Sequence, residues 1–380
     1  MIPYASTRGS ASSFDDTRLE ESGSGLASRL NERFSLLRRQ IFTLKERIEG
    51  ILRAKQEDID WRTAGSAPEV FDFTVRRALR GHAADVYSLG WSSDNVTLAS
   101  AAIDGKIILW DSLTSVKKGL ICLPSPWIMT TSFEQTKNEL LVAGGLDRTV
   151  SVFNVRNVLR SPVSIAVTPP ALVLHGHSGY VTAARFLTPD VAVSASGDGT
   201  IALWSLFLNE RLAIYDDHSV DVTGISVHPH DRSIFASSSS DGTLKLWDSR
   251  GKEKTACVMT FSGFESDALA VELFNNGTSI AGTGSDSTMR IFDLRTSQPI
   301  GVYTDKRLKT PAHSLALSKS GRLVFVAYES SALVAWEVIS SEGTFHELIG
   351  HEQRLAAVAA NNSGEAVATT GYDRRVVIWA

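Results

Sequence analysis

The chain has 380 residues, 43% of them apolar and 21% charged, with a formal net charge of −4. This is too apolar for a disordered chain and lacks the basic excess of a nucleic-acid binder. Two cysteines, Cys122 and Cys257, make neither a disulfide framework nor a zinc site, and no apolar run is long enough to span a membrane. With no secretory core in Met1–Gly9 and no lipidation motif at either end, a soluble protein of a reducing compartment is expected.

Residues 1–25 are rich in Ser and Gly, lack periodicity and read as a disordered tail. Residues 26–57 are different. Leu30, Phe34, Leu37, Ile41, Leu44, Ile48 and Ile51 recur in alternating steps of four and three, flanked by Arg33, Arg38, Arg39, Lys45, Glu46, Arg47 and Glu49. That is a heptad seam. A helix with so narrow a stripe is marginal alone in water, and burial is worth about 1.5–3 kcal/mol per large side chain, so the helix is expected to find a partner. Packing on the domain that follows would serve. The strict seam favours a two-stranded coiled coil with another chain. Residues 58–67, holding Trp61, read as a linker.

From residue 68 to 380 a repeat takes over. The aromatics Trp110, Phe153, Trp204, Trp247, Phe292, Trp336 and Trp379 close similar segments at intervals of 43, 51, 43, 45, 44 and 43 residues. The long interval fits an extended loop from Arg156 to Leu172, which carries Pro162, Pro169 and Pro170. An aspartate stands six residues before the aromatic at Asp104, Asp147, Asp198, Asp241, Asp286 and Asp373, with Ser330 in the odd repeat. Upstream of it comes a third marker: Gly81-His82, Gly176-His177, Asp217-His218 and Gly350-His351, with Gly263-Phe264 as a degenerate copy. Between markers lie short alternating runs, Val86 to Trp91, Val181 to Phe186, Val222 to Val227 and Ala268 to Phe274. Four short strands per repeat of roughly 43 residues is the arithmetic of a β-propeller blade. Seven such blades are predicted. A spare run, Phe71 to Leu79, is expected to supply the outer strand that the last repeat lacks and so close the ring.

The recurring polar residues invite an acid–base reading, but seven near-copies argue against one catalytic centre. The repeats resemble those of the WD-repeat family, and that resemblance implies a buried hydrogen-bond network in each blade, joining His82 to Asp104 and Trp110, His177 to Asp198 and Trp204, His218 to Asp241 and Trp247, and His351 to Asp373 and Trp379 through a Ser or Thr. A buried polar group without a partner costs about 1–3 kcal/mol, so the set occurs together. Gly282-Thr-Gly-Ser-Asp286 lacks the third glycine of a dinucleotide loop, and no other cofactor, metal or nucleophile motif is present. Neither an enzyme nor a cofactor is expected. Trp91 reads as first-blade core, and Trp127, in Pro124-Ser-Pro-Trp127, stands just outside the core pattern.

The runs Leu79-Arg-Gly-His82, Asp104-Gly-Lys-Ile-Ile-Leu-Trp-Asp111, Pro126-Trp-Ile-Met-Thr130, Ala143-Gly-Gly-Leu-Asp147, His177-Ser-Gly-Tyr180 and Ser318-Lys-Ser-Gly-Arg-Leu323 are similar to those of heterotrimeric G-protein β subunits, in the same order over about residues 26–380. The resemblance implies an all-β, seven-bladed propeller preceded by a coiled-coil helix. It implies an obligate γ subunit on that helix, a GDP-bound α subunit on one propeller face, and receptor-triggered engagement of effectors by the same face. A prenylated γ would hold the pair at the cytoplasmic face of the plasma membrane, with a cytoplasmic pool. Tyr87, Lys106, Trp127, Met129, Leu146, Tyr180, Asp221 and Asp267 keep the residue types of that face. Lys117 matches a basic position on the side that receives the α-subunit N-terminal helix. Tyr372 stands where a Trp is usual, Asp85 for a Lys, Thr223 for a Met, Leu269 for an Asn and Ser285 for an acidic residue, and these departures bear on partner choice. Another WD-repeat scaffold is the competing reading.

Overall fold

Each repeat folds as a four-stranded antiparallel sheet. The computed structural model describes residues 73–160, 169–251, 256–338 and 345–380. The expected tail (1–25), coiled-coil helix (26–57) and linker (58–67) lie outside the described residues. Blade 1 holds β2 (Val86–Trp91), β3 (Thr97–Ala102), β4 (Lys106–Asp111) and β5 (Lys117–Cys122). Blade 2 holds β6 (Ile128–Phe133), β7 (Leu140–Gly145), β8 (Thr149–Asn154) and β9 (Leu172–His175). Blade 3 holds β10 (Val181–Thr188), β11 (Val191–Ser196), β12 (Ile201–Ser205) and β13 (Glu210–Tyr215). Blade 4 holds β14 (Val222–Val227), β15 (Ile234–Ser239), β16 (Leu244–Asp248) and β17 (Cys257–Phe261). Blade 5 holds β18 (Ala268–Leu273), β19 (Ser279–Gly284), β20 (Met289–Asp293) and β21 (Pro299–Tyr303). Blade 6 holds β22 (Ala312–Leu317), β23 (Leu323–Tyr328), β24 (Ala332–Glu337) and β25 (Phe345–Ile349). Blade 7 holds β26 (Leu355–Ala360), β27 (Val367–Gly371), β28 (Arg375–Trp379) and, as its outer strand, β1 (Val75–Arg80).

The ring closes as the spare run predicts. Val75 pairs with Trp379, Ala78 with Val377 and Arg80 with Arg375. The innermost strands β2, β6, β10, β14, β18, β22 and β26 pack in sequence, and β26 returns to β2. Second strands are sandwiched between neighbouring blades and bury every residue in β3, β19 and β27. They are rich in Ala, Gly, Ser and Thr, which lets blade lie close on blade. Trp91 is core, and its Nε1 donates to the Ala359 carbonyl at 3.1 Å, tying blade 1 to blade 7.

The polar networks form where His and Trp coexist. In blade 4 the His218 ring meets Asp241 through Nδ1 (2.8 Å) and Ser237 through Nε2 (2.7 Å), while Trp247 Nε1 donates to Ser237 Oγ (2.8 Å). Since Ser237 accepts from the indole, its own proton goes to His Nε2, and Nδ1–H goes to the carboxylate. Blade 3 repeats this with His177, Asp198, Ser194 and Trp204, and blade 7 with His351, Asp373, Thr369 and Trp379. Burial pulls the His177, His218 and His351 imidazoles below their ordinary pKa, so they serve as neutral bridges. Blade 1 is looser: His82 Nε2 reaches Ser100 at 2.7 Å, but Nδ1 stays 3.6 Å from Asp104. Where His is missing, the hydroxyl place ten residues before the aromatic holds Ala143, Gly282 or Val326. Blade 5 has Phe264 in the histidine place, against Phe292, with Phe261 of blade 4 also on that ring, and Arg290 bonds Asp286 in place of a histidine (3.3 Å). In blade 4, Asp217 replaces the marker glycine and is paired by the buried ammonium of Lys245.

One expectation needs correction. The insertion after β8 begins as a short helix, α1 (Arg156–Arg160), and not as extended loop. The Asn154 side-chain oxygen accepts from Arg156 N–H at 3.1 Å, an N-cap bond, and α1 packs on β5.

Candidate interaction face

A single backbone device assembles one end of the ring. The residue immediately before each innermost strand offers its carbonyl to the N–H of the residue just before the conserved-spacing aspartate or its replacement. The pairs are Asp85 with Ile103, Trp127 with Leu146, Tyr180 with Gly197, Asp221 with Ser240, Asp267 with Ser285, Pro311 with Glu329 and Arg354 with Tyr372, at 2.8 to 3.3 Å. A bulge then follows the first residue of every innermost strand. It inserts Tyr87, Met129, Thr182, Thr223, Leu269, His313 and Ala356, which re-aim toward the mouth of the central channel. These positions, with the N–H donor before the aspartate as a third, bring together Tyr87, Trp127, Met129, Leu146, Tyr180, Asp221, Asp267 and Tyr372. Lys106 opens β4 at the same end. Lys117 does not join them: it lies on outer strand β5, with its ammonium 5.5 Å from the Trp110 ring.

Trp127 is the most unusual member. Its φ is +67°, the left-handed region that bulky residues avoid, and its side chain is 43% exposed. Two bonds hold it, Trp127 N–H to Ile103 O (3.1 Å) and Leu146 N–H to Trp127 O (3.3 Å). Gly145 makes room, since a Cβ there would overlap the Trp127 carbonyl. The blade framework thus holds a strained backbone that turns an indole outward beside Leu146, itself 45% exposed.

An aromatic and charged chain continues across blades 2, 1, 7 and 6. The Trp127 ring lies 6.3 Å from Tyr87, and Tyr87 lies 5.5 Å from Tyr372, with their hydroxyls bonded at 2.7 Å. Burial and the bond to Tyr87 push the Tyr372 phenol well above its ordinary pKa. The Arg354 guanidinium stacks 3.9 Å over the Tyr372 ring and pairs with Glu329, which also lies 3.8 Å from His313. Sequence reasoning missed Arg354, Glu329 and His313. The signal was present, since each occupies one of the repeated rim or bulge positions. Across the ring, Tyr180 donates to Asp221 at 2.5 Å, which pushes its phenol up to about 12. Thr223 and Ser285 are satisfied locally, Thr223 by Ala268 O (2.7 Å) and Ser285 by Ser266 (2.7 Å). The face therefore carries an aromatic centre, Arg354 and Lys106 on the blade 7 and 1 side, and Asp221 and Asp267 over blades 4 and 5.

The channel behind this face encloses about 700 Å³. Arg185 and Glu272 line it from blades 3 and 5, with Ser226 of blade 4 near the Glu272 carboxyl. Burial pushes that carboxyl up to about 7 despite Arg185. As pH rises, the unfolded chain loses this proton near 4.5 and the folded chain near 7, so the group lowers stability progressively between those values. Glu272→Gln is expected to gain about 1–3 kcal/mol over the wild type at pH 8 and little at pH 4.5, measured by urea unfolding. Parallel pH curves would show that Glu272 does not titrate in this range. Among the described residues, no three His, Cys, Asp or Glu side chains cluster as a metal site.

Seven four-stranded blades, closed by a strand from the N-terminal side and pinned by His–Asp–Ser/Thr–Trp networks, define a WD-repeat β-propeller. Comparison with known proteins goes one step further: a family model for G protein beta WD-40 repeat proteins matches residues 35–380. The chain belongs to that family. It is 34% identical over 342 residues to the guanine nucleotide-binding protein subunit beta of Oryza sativa subsp. japonica, covering 84% of this chain and 87% of the relative. The corresponding proteins of Solanum tuberosum (33% over 336 residues, 83% and 86% covered) and Arabidopsis thaliana (32% over 323 residues, 81% and 84%) are similar to it to the same degree. Membership of this family supports a role in signal transduction.

Proposed function

We propose that the chain is the β component of a heterotrimeric G protein, a non-catalytic transducer. It forms an obligate dimer with a γ subunit through the 26–57 heptad seam and binds the GDP-bound α subunit on the Trp127 face. After receptor activation of α, the same face engages effectors. The observation that carries this reading is the outward, strained Trp127 flanked by Tyr87, Leu146 and Tyr372. Large aromatic anchors within a polar rim dominate the energy of reversible protein interfaces. A prenyl group on γ would place the pair at the cytoplasmic face of the plasma membrane, with a cytoplasmic pool.

Purification from the native cells tests the dimer. A small prenylated chain is expected to accompany the protein in equal amount and to be lost when Leu37 and Leu44 are both replaced by aspartate. An isolated, stable wild-type monomer would refute the pairing.

A further inference from the structure

We propose that Ser125 is a phosphorylation site for a proline-directed protein kinase, and that its phosphate closes the Trp127 face to the α subunit; the second half rests on the function proposed above. The residue lies in Pro124-Ser125-Pro126-Trp127, in the loop that links β5 to β6. Pro126 disfavours a helical backbone at Ser125 and biases the segment to an extended form, which an extended-peptide cleft can take up. Pro126 also has no N–H, the feature a proline-directed kinase selects after the acceptor. Ser125 is half-buried between the exposed Pro124 and Pro126, and its hydroxyl donates only locally, to the Pro126 carbonyl at 3.0 Å. It contrasts with Ser100, Ser194 and Ser237, which are fully buried and committed to the blade networks.

Position makes the modification consequential. The loop is stitched across the start of β4 by Leu123 N–H to Gly105 O (2.8 Å) and Trp127 N–H to Ile103 O (3.1 Å). Its Ser125 and Pro126 backbone lies against Gly105, next to Lys106. A phosphoserine here carries a charge of about −1.5 to −2 at neutral pH. It would stand two residues from Trp127 and against the turn that leads into Lys106, placing a hydrated dianion at the edge of the aromatic face. In the transfer step, Ser125 Oγ forms a bond to the γ-phosphorus of ATP. The bond from that phosphorus to the β,γ-bridging oxygen breaks, ADP leaves, and the hydroxyl proton passes to the base of the kinase. Two other proline-directed acceptors lie in described segments, Thr188 at the end of β10 and Thr310 before β22, and neither adjoins Trp127.

The full chain with its co-purified small partner is incubated with a mitogen-activated protein kinase and Mg·ATP, and phosphopeptides are mapped by mass spectrometry. Phosphate is expected on Ser125 and absent from that peptide in Ser125→Ala. Modification of Thr188 or Thr310 with Ser125 untouched overturns the site. GDP-bound α subunit is then titrated onto both forms. The phosphorylated wild type is expected to bind about tenfold more weakly, with an unchanged melting temperature, while kinase-treated Ser125→Ala binds as the untreated protein. Phosphorylated Ser125 with unchanged α binding overturns the regulatory half. If the unmodified wild type fails to bind α, the functional reading falls and takes the regulatory half with it, whereas the mapped phosphate still decides the site.

Discussion

Replacing Trp127 by alanine is expected to weaken binding of the GDP-bound α subunit by about 2 kcal/mol or more, close to 30-fold in Kd, while the melting temperature holds or rises. The indole is half out of the protein, so its removal leaves no core cavity. The backbone at +67° is a cost that the bonds to Ile103 and Leu146 bear. Trp127→Gly separates the two contributions: it keeps the loss of binding and relieves the strain, so it should melt higher than Trp127→Ala. Calorimetric titration and thermal melts check both. A sharp fall in melting temperature with binding intact would make Trp127 a packing residue.

Trp247→Ala is expected to do the reverse. This ring is fully buried, stacked on Phe235 at 6.2 Å and packed on Tyr215 at 5.5 Å. Its loss opens a cavity worth about 3–5 kcal/mol. It also strips Ser237 of a donor, in a network where His218 and Asp241 depend on that hydroxyl. Denaturant unfolding should show the loss, with α binding of the surviving folded fraction unchanged. Trp247→Phe should cost much less, because Phe292 already fills the same place in blade 5 with a glycine at the hydroxyl position. A Trp247→Ala protein as stable as the wild type would contradict the network account.

The fold was legible because the information repeats locally. An aspartate six residues before an aromatic, present in six of the seven repeats, marks the turn between second and third strands, and the spare run near Val75 announces the closure. Less was legible where partners come from distant repeats. Tyr87 and Tyr372 share a hydrogen bond across 285 residues, and nothing near either residue signals it. Arg354 looks like an ordinary charge until its carbonyl is seen to hold Tyr372 N–H and its guanidinium to cover the ring. The bulges are invisible to a two-residue alternation because the inserted residue breaks the alternation at its first step. The α1 helix escaped because three prolines downstream dominate the composition of the insertion, while its capping residue, Asn154, belongs to the end of β8.

The wild-type aromatic chain also refines the departures noted in the sequence. Tyr372, smaller than the Trp expected there, still stacks under Arg354 and gains a bond to Tyr87 that an indole could not make in the same way. Asp85, close to Tyr372, and Glu329, paired with Arg354, add negative charge here, so the blade 7 and 1 side is less basic than the family pattern implies. A partner that fits this chain should therefore rely more on the aromatic centre and less on an acidic segment over Lys106.

The Trp127 face is proposed to hold one nucleotide state of an α subunit. Titration of the protein, in complex with its small partner chain, with an α subunit loaded first with GDP and then with a non-hydrolysable GTP analogue measures this directly. Tight binding of the GDP form, release by the GTP analogue and weakening by Trp127→Ala are predicted. Binding indifferent to the nucleotide, or no binding by a folded wild-type protein, would contradict the account.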